Sequence, residues 1–329
     1  MQRQRRLALE VSSLAVVFLF TGCNAGPGVS GSFERSYPIS GPLRIELNSA
    51  SGDVQITGGS GNTVQVHADV TAHGMGFDDS KKLLAETISN PPIEQRGDTL
   101  RIGKDISRLR NISITYRITV PHETEVNSNV ASGAQTIFQI RGPLKIQSAS
   151  GSVRVAHIDR DAQLNSVSGS IDASDVGDDV RANTLAGNVS VSDTKGDVRA
   201  GALSGAVEVK KAGGRVDAET ASGSVEVDDA VNDVKARSAS GRVSVHGNPG
   251  ATSYWQLTTV SGPVLLGVPS TANFHLTAEA TSGEIRADIP IVVEEQSKHA
   301  LRAHVGNGGG RVEVHTSSGE IRIAGANVN

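Results

Sequence analysis

Gly133, Gly151, Gly169, Gly187, Gly205, Gly223 and Gly241 stand at an unbroken interval of 18 residues. The last six sit in variants of one phrase, S-x-S/A-G-x-V-x-V, as in "SASGSVRV", "SVSGSIDA", "ALSGAVEV" and "SASGRVSV". A spacing kept through six intervals without an insertion means that each period is one structural unit laid on the last. Residues at equal offsets from the glycines then form columns.

Those columns read as strands. Offset +2 holds Val153, Ile171, Val189, Val207, Val225 and Val243, and offset +4 holds Val155, Ala173, Val191, Val209, Val227 and Val245. The residues between them (Arg154, Asp172, Ser190, Glu208, Glu226, Ser244) are polar and mixed in sign, the alternation of a strand with one buried face. The second half of each period repeats the design nine residues on. Turn-type residues recur at +9 (Gly142, Arg160, Asp178, Gly196, Gly214, Asn232), apolar ones at +11 (Leu144 to Val234) and +13 (Ile146 to Ala236). The predicted quantum is a nonapeptide: a turn residue tolerant of positive φ, then inward positions at +2, +4 and +7. Two nonapeptides make one coil.

Identical residues in identical columns favour a single-stranded parallel β-solenoid over an antiparallel array of hairpins, because a one-residue slip between stacked coils would turn every side chain over. A flattened two-sheet roll is expected, with a three-sided coil left open. The recurrent serine before each glycine is expected to pass hydroxyl hydrogen bonds between coils and satisfy the corner backbone. With only 3% aromatics, the interior must be narrow and lined by Val, Ile, Leu and Ala.

The ends are less regular. Gly52 marks an early coil, and "DDSKKLLAETIS" predicts one short helix near residues 79–89, stopped by Asn90-Pro91-Pro92. After Gly241 the intervals lengthen to 21, 21 and 36, through Gly262, Gly283 and Gly319; corner loops are expected to absorb the extra residues. Open stacks expose strand edges, and the helix and the segment 290–310 are the expected covers. The predicted organisation is 1–22 signal peptide, 23–39 anchor and flexible tether, and 40–329 solenoid. The solenoid divides into irregular coils at 40–130, regular repeats at 131–246, and irregular coils with a cap at 247–329.

Residues 1–22 read as a targeting segment, with Arg3, Arg5 and Arg6 before a ten-residue apolar run, Val11 to Phe20, about half a membrane span. "FTGC" resembles the lipobox of bacterial lipoproteins, which implies acylation of Cys23, the single cysteine, and cleavage before it. The resemblance also implies, through Asn24 rather than aspartate after the cysteine, an outer-membrane address. Losing Arg3, Arg5, Arg6 and Glu10 takes the net charge from −4 to −6. A weakly acidic surface argues against nucleic acid as a partner.

"SGDVQI", "YRITVPHETEV", the "SGxVxV" series and "GGRVEVHTSSGEIRI" together resemble the bacterial putative-adhesin family of β-strand repeats, a domain of unknown function, over roughly 40–329. The resemblance implies the fold, carries no catalytic residues, and implies a contact role rather than chemistry.

Residues that could carry chemistry are few. Asp161, Asp179, Asp197 and Asp233 form a corner column at +10, which either caps turns through side-chain-to-backbone bonds or binds calcium; the "GGxGxD" turn of calcium rolls is absent and Arg215 interrupts the line. Nine histidines are scattered, of which His299, His304 and His315 could meet in the C-terminal part; no metal or other cofactor is expected. No "GxSxG" elbow appears. Tyr254 and Trp255, the latter the single tryptophan, are the candidate binding surface if exposed; the plainer reading is that Trp255 plugs a widened corner. The expected function is therefore non-enzymatic: a lipid-anchored envelope solenoid presenting a surface to an envelope protein or surface glycan. The alternatives are a carbohydrate-active enzyme on a β-helix and a module that polymerises end to end.

Overall fold

The computed structural model describes residues 28–73, 76–103 and 111–325. The predicted signal segment, Cys23 and residues 24–27 lie outside the described residues. The chain divides into two compact units, Met1–Ile140 and Arg141–Asn329. That division falls inside the stretch expected to be one regular block.

In the second unit the columns are parallel, as the spacing predicts. The Gly205 coil contributes Val207–Ala212 to one sheet and Val216–Ser222 to the other. Val207 lies beside Val225 of the next coil, and Val216 beside Val234. Gly205 N donates to Ser222 O and Val207 N to Ser224 O, both at 2.9 Å, so the corner is tied into the next winding by its own backbone. Each regular coil supplies two strands, so the roll is two-sided. The valines at +2 and +4 and the alanines and valines at +11 and +13 are buried between the sheets. All eleven corner glycines, from Gly52 to Gly319, have φ between +111° and +157°.

The two halves of a coil are not equivalent, which corrects the nonapeptide reading. Among the described residues positive φ falls at +6, not at +9. His157, Asp175, Asp193, Lys211 and Asp229 are left-handed, with φ of 51° to 57°. Each such residue costs roughly 1–2 kcal/mol in backbone strain, a cost that asparagine and aspartate tolerate best. The left-handed step interrupts the strand alternation, as in a β-bulge, and turns +7 inward (Ile158, Val176, Thr194, Ala212, Ala230). The second half has no such step. Alternation there runs unbroken through +11, +13 and +15, so Ser166, Thr184, Thr220 and Ser238 are buried and +16 points out.

The buried +15 hydroxyls do the work expected of the serine before each glycine, whose side chain is exposed. Thr184 Oγ1 donates to Gly169 O (3.0 Å), Thr220 Oγ1 to Gly205 O (2.9 Å) and Ser238 Oγ to Gly223 O (2.9 Å). Thr220→Val, which keeps the shape and deletes the donor, is expected to cost about 1 kcal/mol in urea unfolding; no change would mean that the bond is replaced by water.

The ends differ from expectation in two ways. Gly28–Pro38, read as tether, is a strand paired antiparallel with Thr63–His73. Its glycine-rich start hides Val29 and Phe33, which share its buried face. The helix Phe77–Ser89 packs on these two strands through Leu84 and Ile88, and Gly31 leaves room for the Ile88 side chain. The 36-residue interval is likewise not a corner loop. The Gly319 coil slots between the Gly262 and Gly283 coils, with Gly262 N donating to Ser318 O and Gly319 N to Ser282 O. Phe274–Ser282 is left outside, and the hairpin of Val292–Gln296 and Ala300–Val305 adds to it antiparallel. Glu294 and Glu295 charge this outermost strand, a common way to blunt an edge.

Candidate functional site

The broken symmetry of the coil creates the most distinctive surface of the second unit. Offset +16 is the variable residue of S-x-S-G, and the nonapeptide rule would bury it. Instead Val167, Leu185, Leu203 and Val260 stand 53%, 54%, 56% and 53% exposed, in line with Ala221 and Ala239. Their register is set by Thr184↔Ala202, Thr220↔Ser238 and Ser240↔Ser261 in the pairing of successive strands. Six rungs at about 4.8 Å make a ladder roughly 24 Å long.

Beside the ladder runs the outward +14 column: Asn183, Gly201, Glu219, Arg237 and Thr258. The Asn183 side chain lies over the bare Cα of Gly201, and the two columns line a shallow groove of about 570 Å³. Arg237 ties this flank together, 2.7 Å from Glu219 and 3.6 Å from Asp217. An apolar stripe edged by polar and charged groups has the composition of a contact surface, with an apolar centre and a wet rim.

Trp255 is not part of any surface. It is fully buried, and its Nε1 donates to Asn232 O at 2.7 Å. Adjacent strand residues point to opposite faces, so Trp255 fills the corner widened by residues 248–253 and Tyr254 faces out. Tyr254 is 40% exposed, but its hydroxyl donates to Glu313 and the Arg311 guanidinium lies 5.9 Å over its ring. The bond to Glu313 pushes the Tyr254 phenol up from its ordinary pKa. A ring so engaged is a poor stacking platform.

The corner aspartates hold the next winding. Asp179 Oδ1 accepts from Asp197 N (2.9 Å), Asp197 Oδ1 from Arg215 N (2.8 Å) and Asp233 Oδ1 from Tyr254 N (2.9 Å). The C-terminal histidines are dispersed rather than gathered: His304 is 3.2 Å from Glu294, His315 is 3.9 Å from Glu279, and the His299 carbonyl accepts from Ala280 N. The one grouping able to hold a cation among the described residues is Glu226, Asp228 and His246 on the other sheet, with ligand atoms within 4.8 Å of one another. His246 Nδ1 is 3.0 Å from Asp228 Oδ1, its ring seated over the bare Cα of Gly267. Lys210, beside Asp228 in the strand register, pairs with Glu208 and places a positive charge next to the group.

A family model described as Toastrack DUF4097 matches residues 106–324, about two thirds of the chain. A solved structure described as a putative cell adhesion protein from Clostridium sporogenes is 11% identical, covers 89% of this chain and 99% of its own, and superposes with a TM-score of 0.22. No curated protein matches.

Proposed function

Since the chain belongs to the Toastrack DUF4097 family, a domain of unknown function on a β-solenoid-like scaffold, we propose that it is a non-enzymatic contact module of the bacterial cell envelope. It is held to the outer membrane by lipid on Cys23, and it works by presenting the ladder of Val167, Leu185, Leu203 and Val260 to a partner. The single observation that carries this reading is the exposure of that ladder on a stiff parallel stack, where an ordinary solvated face would be polar. Stiffness matters because a surface already in its bound shape loses little entropy on docking. Two acyl-type anchors or more would make the membrane attachment stable, whereas one chain alone would be reversible.

The test is photo-crosslinking in living cells from a reactive residue at position 203, with position 190 on the opposite sheet as the control. Adducts are expected from 203 and not from 190. Equal labelling, or none from 203, would remove the ladder as the contact surface. Cys23→Ser is expected to abolish membrane retention and incorporation of labelled fatty acid; unchanged retention would refute the anchor.

A further inference from the structure

Resting on the reading of the ladder as a contact surface, we infer that its occupant is a second copy of this chain, docked antiparallel across a two-fold axis. The ladder runs large to small and ends large: Val167, Leu185, Leu203, Ala221, Ala239, Val260. A two-fold axis in the plane of the face, passing between Leu203 and Ala221, reverses this order and lays it upon itself. Leu203 then meets Ala221 of the partner copy, Leu185 meets Ala239, and Val167 meets Val260. Each leucine finds an alanine at the four central rungs, and valine meets valine only at the two ends.

The flanking columns agree with that register. At +14, Glu219 faces the uncharged Gly201, and Asn183 faces Arg237. At +12, Arg199 faces Asp217, while Arg181 and Lys235 form a like-charge pair farther along the solvated rim, where it matters least. Moving the axis by half a rung, onto Leu203, would oppose Leu203 to Leu203 and Arg199 to Arg199. The chosen register matches size and charge together at its centre, where Leu203 meets Ala221 and Arg199 meets Asp217. Rim charges fix alignment more than affinity. The strip is narrow beside a standard interface of about 800 Å² per partner, so the dimer is micromolar or weaker in solution and is favoured where lipid anchors concentrate the chains on a surface.

The experiment is sedimentation of the full chain carrying Cys23→Ser across a wide concentration range, with size swaps at the centre of the ladder. Leu203→Ala and Ala221→Leu are each expected to weaken self-association about tenfold, by opening a gap and by forcing two leucines together. The double variant Leu203→Ala/Ala221→Leu restores the match across the axis and is expected to return to within about threefold of the parent. Both sites are on the outer face, so unchanged circular dichroism and urea midpoints are the check on folding. A chain that stays monomeric throughout overturns the proposal, as does a double variant weaker than both singles. The in-cell crosslink from position 203 separates the two levels. An adduct of twice the chain mass supports the dimer, and an adduct to a different protein or a glycan overturns the dimer but leaves the contact surface standing. No adduct removes both.

Discussion

Gly205→Ala is expected to lower stability by roughly 3 kcal/mol or more, read as a fall in the urea midpoint. The residue sits at φ +143°, and an added Cβ would stand 2.6 Å from the Gly187 carbonyl carbon and closer still to its oxygen. Forcing a side chain into that backbone region alone costs about 1–3 kcal/mol. The clash adds to it, because the obstacle is backbone and the coil cannot rise away. Gly187 N to Ser204 O (3.0 Å) and Gly205 N to Ser222 O (2.9 Å) fix the winding spacing on both sides. Gly61→Ala provides the control. Gly61 has φ +147° with nothing within 4 Å of the added carbon, so it carries the conformational cost without the collision. Equal losses at the two sites would show that close approach between coils is not what the glycine column serves. Since coils contact only their neighbours, protease sensitivity in the Gly205 variant is expected to rise first around residues 187–223.

Trp255→Ala is expected to cost about 3–5 kcal/mol, the range for deleting a large buried aromatic. The indole occupies a column otherwise filled by smaller aliphatic side chains, between Val234 and Val312 on the neighbouring strands. It fits because the corner before it is widened, with Gly250 N bonded to Val231 O and Ser253 N to Gly250 O. Trp255→Phe keeps an aromatic ring but leaves the Asn232 carbonyl without its indole donor, a further loss of roughly 1–3 kcal/mol if that oxygen stays dry. As the single tryptophan, Trp255 also reports its own surroundings. Native emission should be blue-shifted and poorly quenched by iodide. Strong quenching in the native state, or an alanine variant as stable as the parent, would place the ring in solvent and return it to the list of candidate contacts.

The candidate site was partly legible. The variable residue of S-x-S-G is visibly apolar at Val167, Leu185, Leu203 and Val260, yet nine-residue symmetry placed it in the core. The missing signal lay at +6, where aspartate recurs at 175, 193 and 229. Aspartate is among the few residues at ease with positive φ, and its recurrence in one half only of the coil was the sign that the halves fold differently. Corner aspartates at +10 were legible as backbone caps because carboxylates next to free N–H groups have few better partners.

Equal spacing by itself determined the parallel stack, the inward columns at +2, +4, +11 and +13, and the corner glycines. In-register stacking needs nothing beyond identical segment lengths and a repeated side-chain pattern. Only the tertiary structure decided that 28–38 is a strand, that the last coil slips inside the one before it, and that Trp255 is sealed while Leu203 is bare. Those outcomes turn on which distant edge a strand pairs with and on a single left-handed residue per coil. Such choices are settled by the free backbone groups and packing volume available once the stack exists, and of them only the left-handed residue leaves a local mark, the aspartates at +6.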